Sequence, residues 1–579
     1  MSDYDLVIRN GTIVDGRGAA PYRGDLAIRG SHIAAVGTFE GSGHQEIDAT
    51  DRIVTPGFID VHTHYDGQVT WEHTLGPSSN HGVTTVIGGN CGVGFAPCRP
   101  GDQDRLIKVM EGVEDIPEVV MAEGIPWNWE SFPEYLDSLS DRAFDIDVGM
   151  QVAHSPLRVY VMGDRGINHE ASTESDRQRM ADLVTEAVRA GAIGVSTSRS
   201  LGHRAKDGHP APSVLTADEE LFALARGLGA AKGGVFQIIV DVHREPEGEM
   251  RVMEEIARQS ARPISFSLAE IVERPAAWRA MIAGLDRAQA AGLPIRGQVF
   301  PRPIGVMMGL ELSLSPIVNR PGYIAIKHLP LAERVAILRN PEVKARILAE
   351  EPIPDPTPIT NALIGAVDKC FALGEQPDYM PDIAMRLDKR AEQAGVTPLS
   401  LAYDLMLEQD GHAILYYPSA NFTTGTAEPI REMMLHEHTI LGLGDGGAHY
   451  GMICDAGFPT YVLTHWARDV EEGQRMPIEW IVQELSRRPA ETVGLTDRGV
   501  LAPGYKADIN VIDHSNLMLH SPRVAHDLPA GGRRLHQRAE GYDATIVSGV
   551  VTYRHGVPTG QLPGRLVRGD GYAPLERVA

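Results

Sequence analysis

Along the first fifty residues apolar and polar positions alternate between turn signals, in DLVIRNGTIVDG, DLAIRGSHIAAVG and QEIDATDRIVTPG. A period of two broken at Asn-Gly and Arg-Gly predicts short antiparallel strands. The same texture returns near the other end, in GVLAPGYKADINVID and DATIVSGVVTYRHGVPTG. The two ends are therefore expected to pair into one small β-sandwich, from residues 1–55 plus 490–579. Between them the period lengthens. Met180, Leu183, Val184, Ala187 and Val188 share one helical stripe, Gly191 stops it, and an apolar strand follows at 193–196. Helical stretches around 221–228, 250–257 and 278–285 lead in the same way to VFQIIVDV, PISFSL and LPIRGQVF. Repeated βα units predict parallel strands with helices outside, either a doubly wound sheet or a (β/α)8 TIM barrel. No glycine-rich GxGxxG or P-loop follows the early strands, which favours the barrel, over residues 56–489. Residues 302–396, with the Pro-rich EPIPDPTPIT, interrupt the repeat and are too long for an ordinary connection. An insertion or lid is expected there.

Composition narrows the function classes. With 579 residues and 43% apolar positions the chain can bury a large core. Its 77 acidic against 53 basic residues give a net charge of −24, a field that repels phosphate backbones and anionic headgroups, so neither nucleic acid nor a membrane is an expected partner. The four Cys have no paired spacing, and MSDYDLVIRNG has neither a basic nor an apolar leader segment. A reduced, cytoplasmic protein is expected.

Three strand ends carry chemistry. In PGFIDVHTHYD an apolar strand at 54–61 runs into His62 and His64, two apart and therefore on one face. Two neutral imidazoles there can hold a divalent metal, and a pair of solvated loop histidines is the plainer alternative. In GVTTVIGGNCGVG a β-branched strand ends at Cys91, whose thiolate is a strong zinc ligand; Cys98, Cys370 and Cys454 read as small buried core residues. In HTILGLGDGGAHYG, Asp445 follows a third apolar strand in a glycine-lined corner. A carboxylate there can take a metal contact and accept a proton from water, or simply cap a turn.

These segments together resemble the amidohydrolase superfamily, in the branch that holds the D-aminoacylases, or N-acyl-D-amino-acid deacylases. DLVIRNGTIVDG with IVTPGFIDVHTHYD is similar to that family's entry into the barrel, and GGNCGVG to its cysteine-bearing second strand. VAHSPLRVYVMG and GAIGVSTS resemble its third and fourth strand ends, and RRPAETVGLTDRGVLAPGYKADINVID with IVSGVVTYRHGVPTGQLPGRLVRG its C-terminal signature. The resemblance implies a (β/α)8 barrel plus a small β-sandwich, one or two Zn2+ ions or another divalent metal, and hydrolysis of a small-molecule amide. By it His62, His64 and Cys91 match metal ligands, Cys91 in the bridging place, and Asp445 matches both a ligand and the catalytic aspartate.

The departures from that family are specific. At the fifth strand end QIIVDVHREPEG offers His243 or Asp241 as a metal ligand. At the sixth, RPISFSLAEI has no histidine or lysine, and Phe266 and Leu268 cannot bind a cation. After Asp445 the family's Pro-His-Pro-Arg is replaced by GGAHYGM, which keeps His449 but loses an arginine clamp for a substrate carboxylate. A carboxylate is therefore not the expected recognition element. His154, Arg158 and His449 are candidates for substrate contacts, as is Met307, with Met308, in PRPIGVMMGL. A hydrogen-bonded barrel histidine and core packing of the insertion are the alternatives for His154 and Met307. The expected activity is cleavage of an N-acylated amino acid or amine by metal-activated water with an aspartate acid/base. A dihydropyrimidinase- or hydantoinase-like cyclic amide hydrolase and a catalytically silent barrel scaffold are the other readings. A homo-oligomer is compatible with any of them.

Overall fold

The structure is a computed structural model that describes residues 2–241 and 243–573. Eight strands form one sheet in chain order, every neighbouring pair parallel: β1 (Phe58–Asp60), β2 (Val83–Gly88), β3 (Asp147–Ala153), β4 (Gly194–Ser198), β5 (Val235–Ile239), β6 (Ile264–Leu268), β7 (Ile295–Val299) and β8 (Thr439–Leu441). Beyond β8 the chain meets the end of β1. The Asp445 amide donates to the His62 carbonyl at 3.0 Å, and the His64 amide donates to the Gly446 carbonyl at 2.7 Å. These bonds bring the two ends of the sheet together at its C-terminal mouth, and the sheet is the inner wall of a TIM barrel.

The helices follow the apolar stripes. The helix α2 (Glu174–Arg189) starts at Thr173 with a reciprocal cap to Asp176 and buries Met180, Leu183, Val184, Ala187 and Val188. After β5 and β6 come α4 (Pro246–Ser260) and α5 (Ala277–Ala290), each burying one face against the barrel, while α3 (Asp218–Ala231) precedes β5. The helix α1 (Gln103–Glu114), between β2 and β3, buries Ile107, Met110 and Glu114 along one stripe.

The apolar run at 54–61 is one strand in the sequence but two in space. Ile53–Pro56 belongs to a second sheet, and β1 begins at Phe58. A Cβ on Gly57 would lie 2.2 Å from Thr84 Oγ1, so only glycine lets the chain cross there from one sheet to the other. That second sheet has nine strands, five from residues 4–56 and four from 509–558, around its own core of Leu6, Ile8, Leu26, Val54, Ile509 and Ile546. It is antiparallel except where Tyr4–Ile13 runs parallel to Gly43–Asp48 and to Ile53–Pro56. Arg498 Nη1 donates to Asp147 Oδ2 at 2.7 Å, tying the C-terminal segment to the N-terminal end of β3.

The long connection between β7 and β8 forms a three-stranded sheet, Ile304–Met308, Phe371–Ala372 and Leu415–Ala420, with helices around a separate core. It extends past residue 396, because the strand that pairs with Ile304–Met308 is Leu415–Ala420.

Candidate metal centre and active site

His62 and His64 stand just beyond β1, and their ligand atoms lie with Cys91 Sγ within 4.8 Å of one another, all three side chains buried. His62 Nε2 is 3.2 Å from Cys91 Sγ and 3.5 Å from Asp445 Oδ1, and His64 Nε2 is 3.8 Å from the same oxygen. Cys91, Asp445 and His449 all hold left-handed backbone, with φ of 56°, 48° and 51°. Strain of this kind costs on the order of 1–3 kcal/mol per residue and collects at functional sites. Gly92, φ +69°, lets the turn press against β4, where a Cβ would lie 2.9 Å from Thr197 Cα.

A layer of glutamines from alternate strands holds the cluster from below. Gln298 on β7 accepts from His62 Nδ1 at 2.8 Å and is oriented by its own bond to Ser265 Oγ at 2.7 Å. His62 Nε2 is thereby left as a lone pair facing the cluster. Gln237 on β5 accepts from the Cys91 amide at 3.1 Å, and Gln151 on β3 donates to Asn90 Oδ1 at 2.8 Å.

A cavity of about 170 Å3 covers the cluster, lined by His62, His64, Cys91, Glu114, His203, Asp445, His449 and Asp455 with Ile239, Ser267, Ala269, Ile304 and Leu443. Among the described residues no lysine or arginine lines it. Glu114, at the C-terminal end of α1 where the helix dipole disfavours an anion, is 1% exposed. One of its oxygens lies 3.5 Å from His64 Nδ1 and the other 3.3 Å from His449 Nε2. Burial, then Asp445 and Asp66, push its carboxyl well up; burial, then Glu114, Asp445 and Asp66, do the same to the Cys91 thiol. Burial, with Asp455 and Asp60 nearby, raises Asp445. Burial lowers His62 to about 4, His203 to about 4 and His449 to about 3, and takes His64 well below the usual imidazole range.

These observations test the donor set against a cation. Neutral imidazoles are the ligating form of histidine, whereas a thiol and two carboxyls enclosed without a basic partner resist ionising together. A divalent cation relieves that resistance. Among the described residues His64 Nδ1 and Glu114 Oε1, both buried, have no hydrogen-bond partner. The N, N, S and O donors suit zinc-like coordination, and the residues fit a metal.

Other residues named from the sequence lie elsewhere. His243 is exposed in the turn after β5, its amide bonded to Asp241 Oδ1 at 3.0 Å; the strand ends four residues earlier, and His243 does not line the cavity. His154 is buried between Thr197 Oγ1 and Glu220 Oε1, both at 2.8 Å, and Arg158 Nη1 donates to the same carboxylate at 2.6 Å. Both side chains are consumed by this buried triad and neither lines the cavity. Met307 is fully buried on the insertion strand opposite Tyr416, which makes it packing and not cavity wall. Arg302 is buried against Asp455, 2.7 Å away, and stacks 3.6 Å over Tyr379.

Glu114, His203, Asp455 and the three glutamines were not singled out by the sequence motifs. Glu114 left one trace: it falls on the apolar stripe of Ile107 and Met110, where a solvated carboxylate does not belong.

A parallel barrel whose mouth gathers two histidines, a cysteine and an aspartate around a cavity defines a metal-dependent hydrolase of the barrel type. Residues 45–553 match the profile of the Amidohydrolase family, and the chain belongs to that family as a metal-dependent amidohydrolase acting on carbon–nitrogen bonds other than peptide bonds. It is 26% identical over 575 residues to a D-aminoacylase of Alcaligenes xylosoxydans xylosoxydans, covering 97% of each chain. It is 27% identical over 579 residues to an N-acyl-D-glutamate deacylase of the same organism, covering 98% of this chain and 97% of that one. Among solved structures, D-aminoacylase superposes with a TM-score of 0.64 at 23% identity over 98% of this chain and 100% of that one. An N-acyl-D-glutamate deacylase from Bordetella bronchiseptica, complexed with zinc and a phosphonate inhibitor, gives 0.63 at 23% identity, covering 98% of this chain and 99% of that one. These superpositions share the fold.

Proposed function

We propose that the protein hydrolyses the amide bond of an N-acylated amino acid or amine, in the manner of an N-acyl-D-amino-acid deacylase, with zinc as its metal. The observation that carries this reading is the convergence of His62, His64 and Cys91 within 4.8 Å, with Asp445 Oδ1 3.5 Å from His62 and 3.8 Å from His64. His62, His64, Cys91 and Asp445 would hold the cation, and His243 has no part in it. A bound divalent cation polarises an amide carbonyl and makes water acidic enough to attack near neutral pH.

The chain's own groups do the rest. Asp445 accepts a proton from the attacking water on its free oxygen and returns it to the amide nitrogen as the C–N bond breaks, so that water, amide, acid and amine balance. Gln298 holds the His62 ring in one tautomer. Glu114 faces a ring nitrogen of His64 at 3.5 Å and one of His449 at 3.3 Å, near enough for its charge to favour protons on those nitrogens. His449, on the cavity wall, presents its ring to the substrate. The nonpolar share of the wall, Ile239, Ala269, Ile304 and Leu443, excludes water around the reacting bond.

Its place is read as the cytoplasm and its partner as a small-molecule amide, with assembly into a homo-oligomer compatible. Among the described residues no helix is long and apolar enough to cross a membrane. Residues 1–55 plus 490–579 and residues 56–489 are read as its two units. The test is a panel of N-acyl-D-amino acids, N-acyl-L-amino acids and simple anilides assayed with added zinc. Turnover of acylated amines supports the reading, and a zinc-loaded protein that cleaves none of them contradicts it.

A further inference from the structure

Next to the catalytic cavity lies a second one of about 130 Å3, between the ends of β5 and β6 and the first turns of α4 and α5. Ile239, Ser267 and Ala269 line both. The partition between them is therefore one residue thick and, at Ser267 and Ala269, made of small side chains. Beyond it the walls are Phe266, Leu268, Ile271, Trp278 and Met281. The charged residues at its edge satisfy one another: Arg244 lies 3.4 Å from Asp241 and 3.9 Å from Glu249, which also pairs with Arg199 at 3.1 Å.

Two polar atoms break this apolar surface. Among the described residues Ser267 Oγ and Trp278 Nε1, both buried, have no hydrogen-bond partner, and Trp278 is 1% exposed. A buried indole N–H ordinarily finds an acceptor, and leaving one unpaired costs on the order of 1–3 kcal/mol. An apolar hollow that adjoins a reaction centre and carries a few unspent polar atoms is the usual form of a small-molecule subsite.

We propose that this hollow is a specificity pocket for a neutral, apolar arm of the substrate, of the size of a phenyl or branched alkyl group, with a hydrogen-bond acceptor for Trp278 or Ser267. The proposal rests on the amidohydrolase reading for what happens to the ligand, but not for its binding. It selects amides with a bulky uncharged arm over acetylated or charged counterparts. Phe266 and Leu268, which cannot ligate a metal, have a positive role as its walls.

Ala277 lines this pocket, partly exposed, on the first turn of α5 and outside the catalytic cavity. Ala277→Leu keeps a good helix former and takes up part of the hollow. Tryptophan fluorescence of wild type, titrated with phenylacetamide, should show saturable binding that acetamide does not reproduce. Ala277→Leu should weaken it by about tenfold or more, the scale on which apolar pockets register a few methylenes. In turnover, kcat/KM for an N-phenylacetyl amine over its N-acetyl counterpart should fall by a similar factor. Equal binding of phenylacetamide by both proteins, or none by wild type, would overturn the pocket even if amides are hydrolysed. Binding that responds to Ala277→Leu in a protein with no hydrolytic activity would uphold the pocket and overturn the catalytic reading.

Discussion

Gln298 Oε1 accepts a hydrogen bond from His62 Nδ1 at 2.8 Å, while the opposite nitrogen of the same ring faces Cys91 Sγ at 3.2 Å. The strand β7 thus sets the tautomer of a residue just beyond β1, two strands away round the barrel. Partners of this kind typically matter by about 10- to 100-fold in metal affinity. Gln298→Leu should lose that much zinc affinity in a chelator competition while its circular dichroism stays native. Unchanged affinity would mean that packing alone orients His62.

Asp445→Asn should fold and keep much of its metal, because His62, His64 and Cys91 remain. Its turnover should fall by several orders of magnitude, since an amide cannot take the proton from water. Near-normal kcat in the metal-loaded variant would place the general base elsewhere.

Glu114→Gln tests the buried carboxylate between His64 and His449. An amide keeps the shape but carries no charge beside either ring, so zinc affinity should drop about tenfold and kcat should fall further than KM rises. A variant altered only in thermal stability would reduce Glu114 to packing.

Glu220 tests the reassignment of His154 and Arg158. Burial pushes its carboxyl up, but the hydrogen bond and charge of His154 and the charge of Arg158 outweigh this and take it from 4.5 to about 2. A group depressed in the folded state contributes stability that is full above its unfolded value and is lost as pH falls through the folded one. Glu220→Gln should therefore cost about 3 kcal/mol at pH 7, where it leaves Arg158 buried and unpaired, with metal content unchanged. The gap to wild type should narrow as pH falls from about 4.5 towards 2. Loss of substrate affinity without loss of stability would restore His154 and Arg158 to the binding site.

With no lysine or arginine among the described lining residues, a substrate carboxylate has no fixed cation to meet. Converting the carboxylate of an accepted substrate to its amide should change kcat/KM by less than about tenfold, or 1.4 kcal/mol. A loss of about a hundredfold would show a clamp assembled from residues that the described structure holds apart.

The βα alternation, the pairing of the two ends and the convergence of His62, His64 and Cys91 were legible because each depends on a local pattern. Period-two and helical stripes mark elements, and His62, His64, Cys91 and Asp445 each follow an apolar strand at the face where barrels bind. The break at Gly57 was hidden inside one apolar run, since the clash with Thr84 that requires it lies 27 residues away in the chain. Glu114 sits in EGVED between two other acids, and only its place on the stripe of Ile107 and Met110 sets it apart from a solvated charge run. His154, Arg158 and Met307 looked chemical by residue type, yet Glu220, Thr197 and the insertion strand absorb them. His243 followed the right strand but too late to line the cavity.

Hydrolysis should depend on a cation held by His62 and His64, and metal analysis of purified, zinc-reconstituted protein measures that dependence. Wild type should bind about one equivalent or more, and His62→Ala or His64→Ala should lose metal and turnover together. Either variant with full metal content and full turnover, or a wild type that stays below about half an equivalent after reconstitution, would contradict the account.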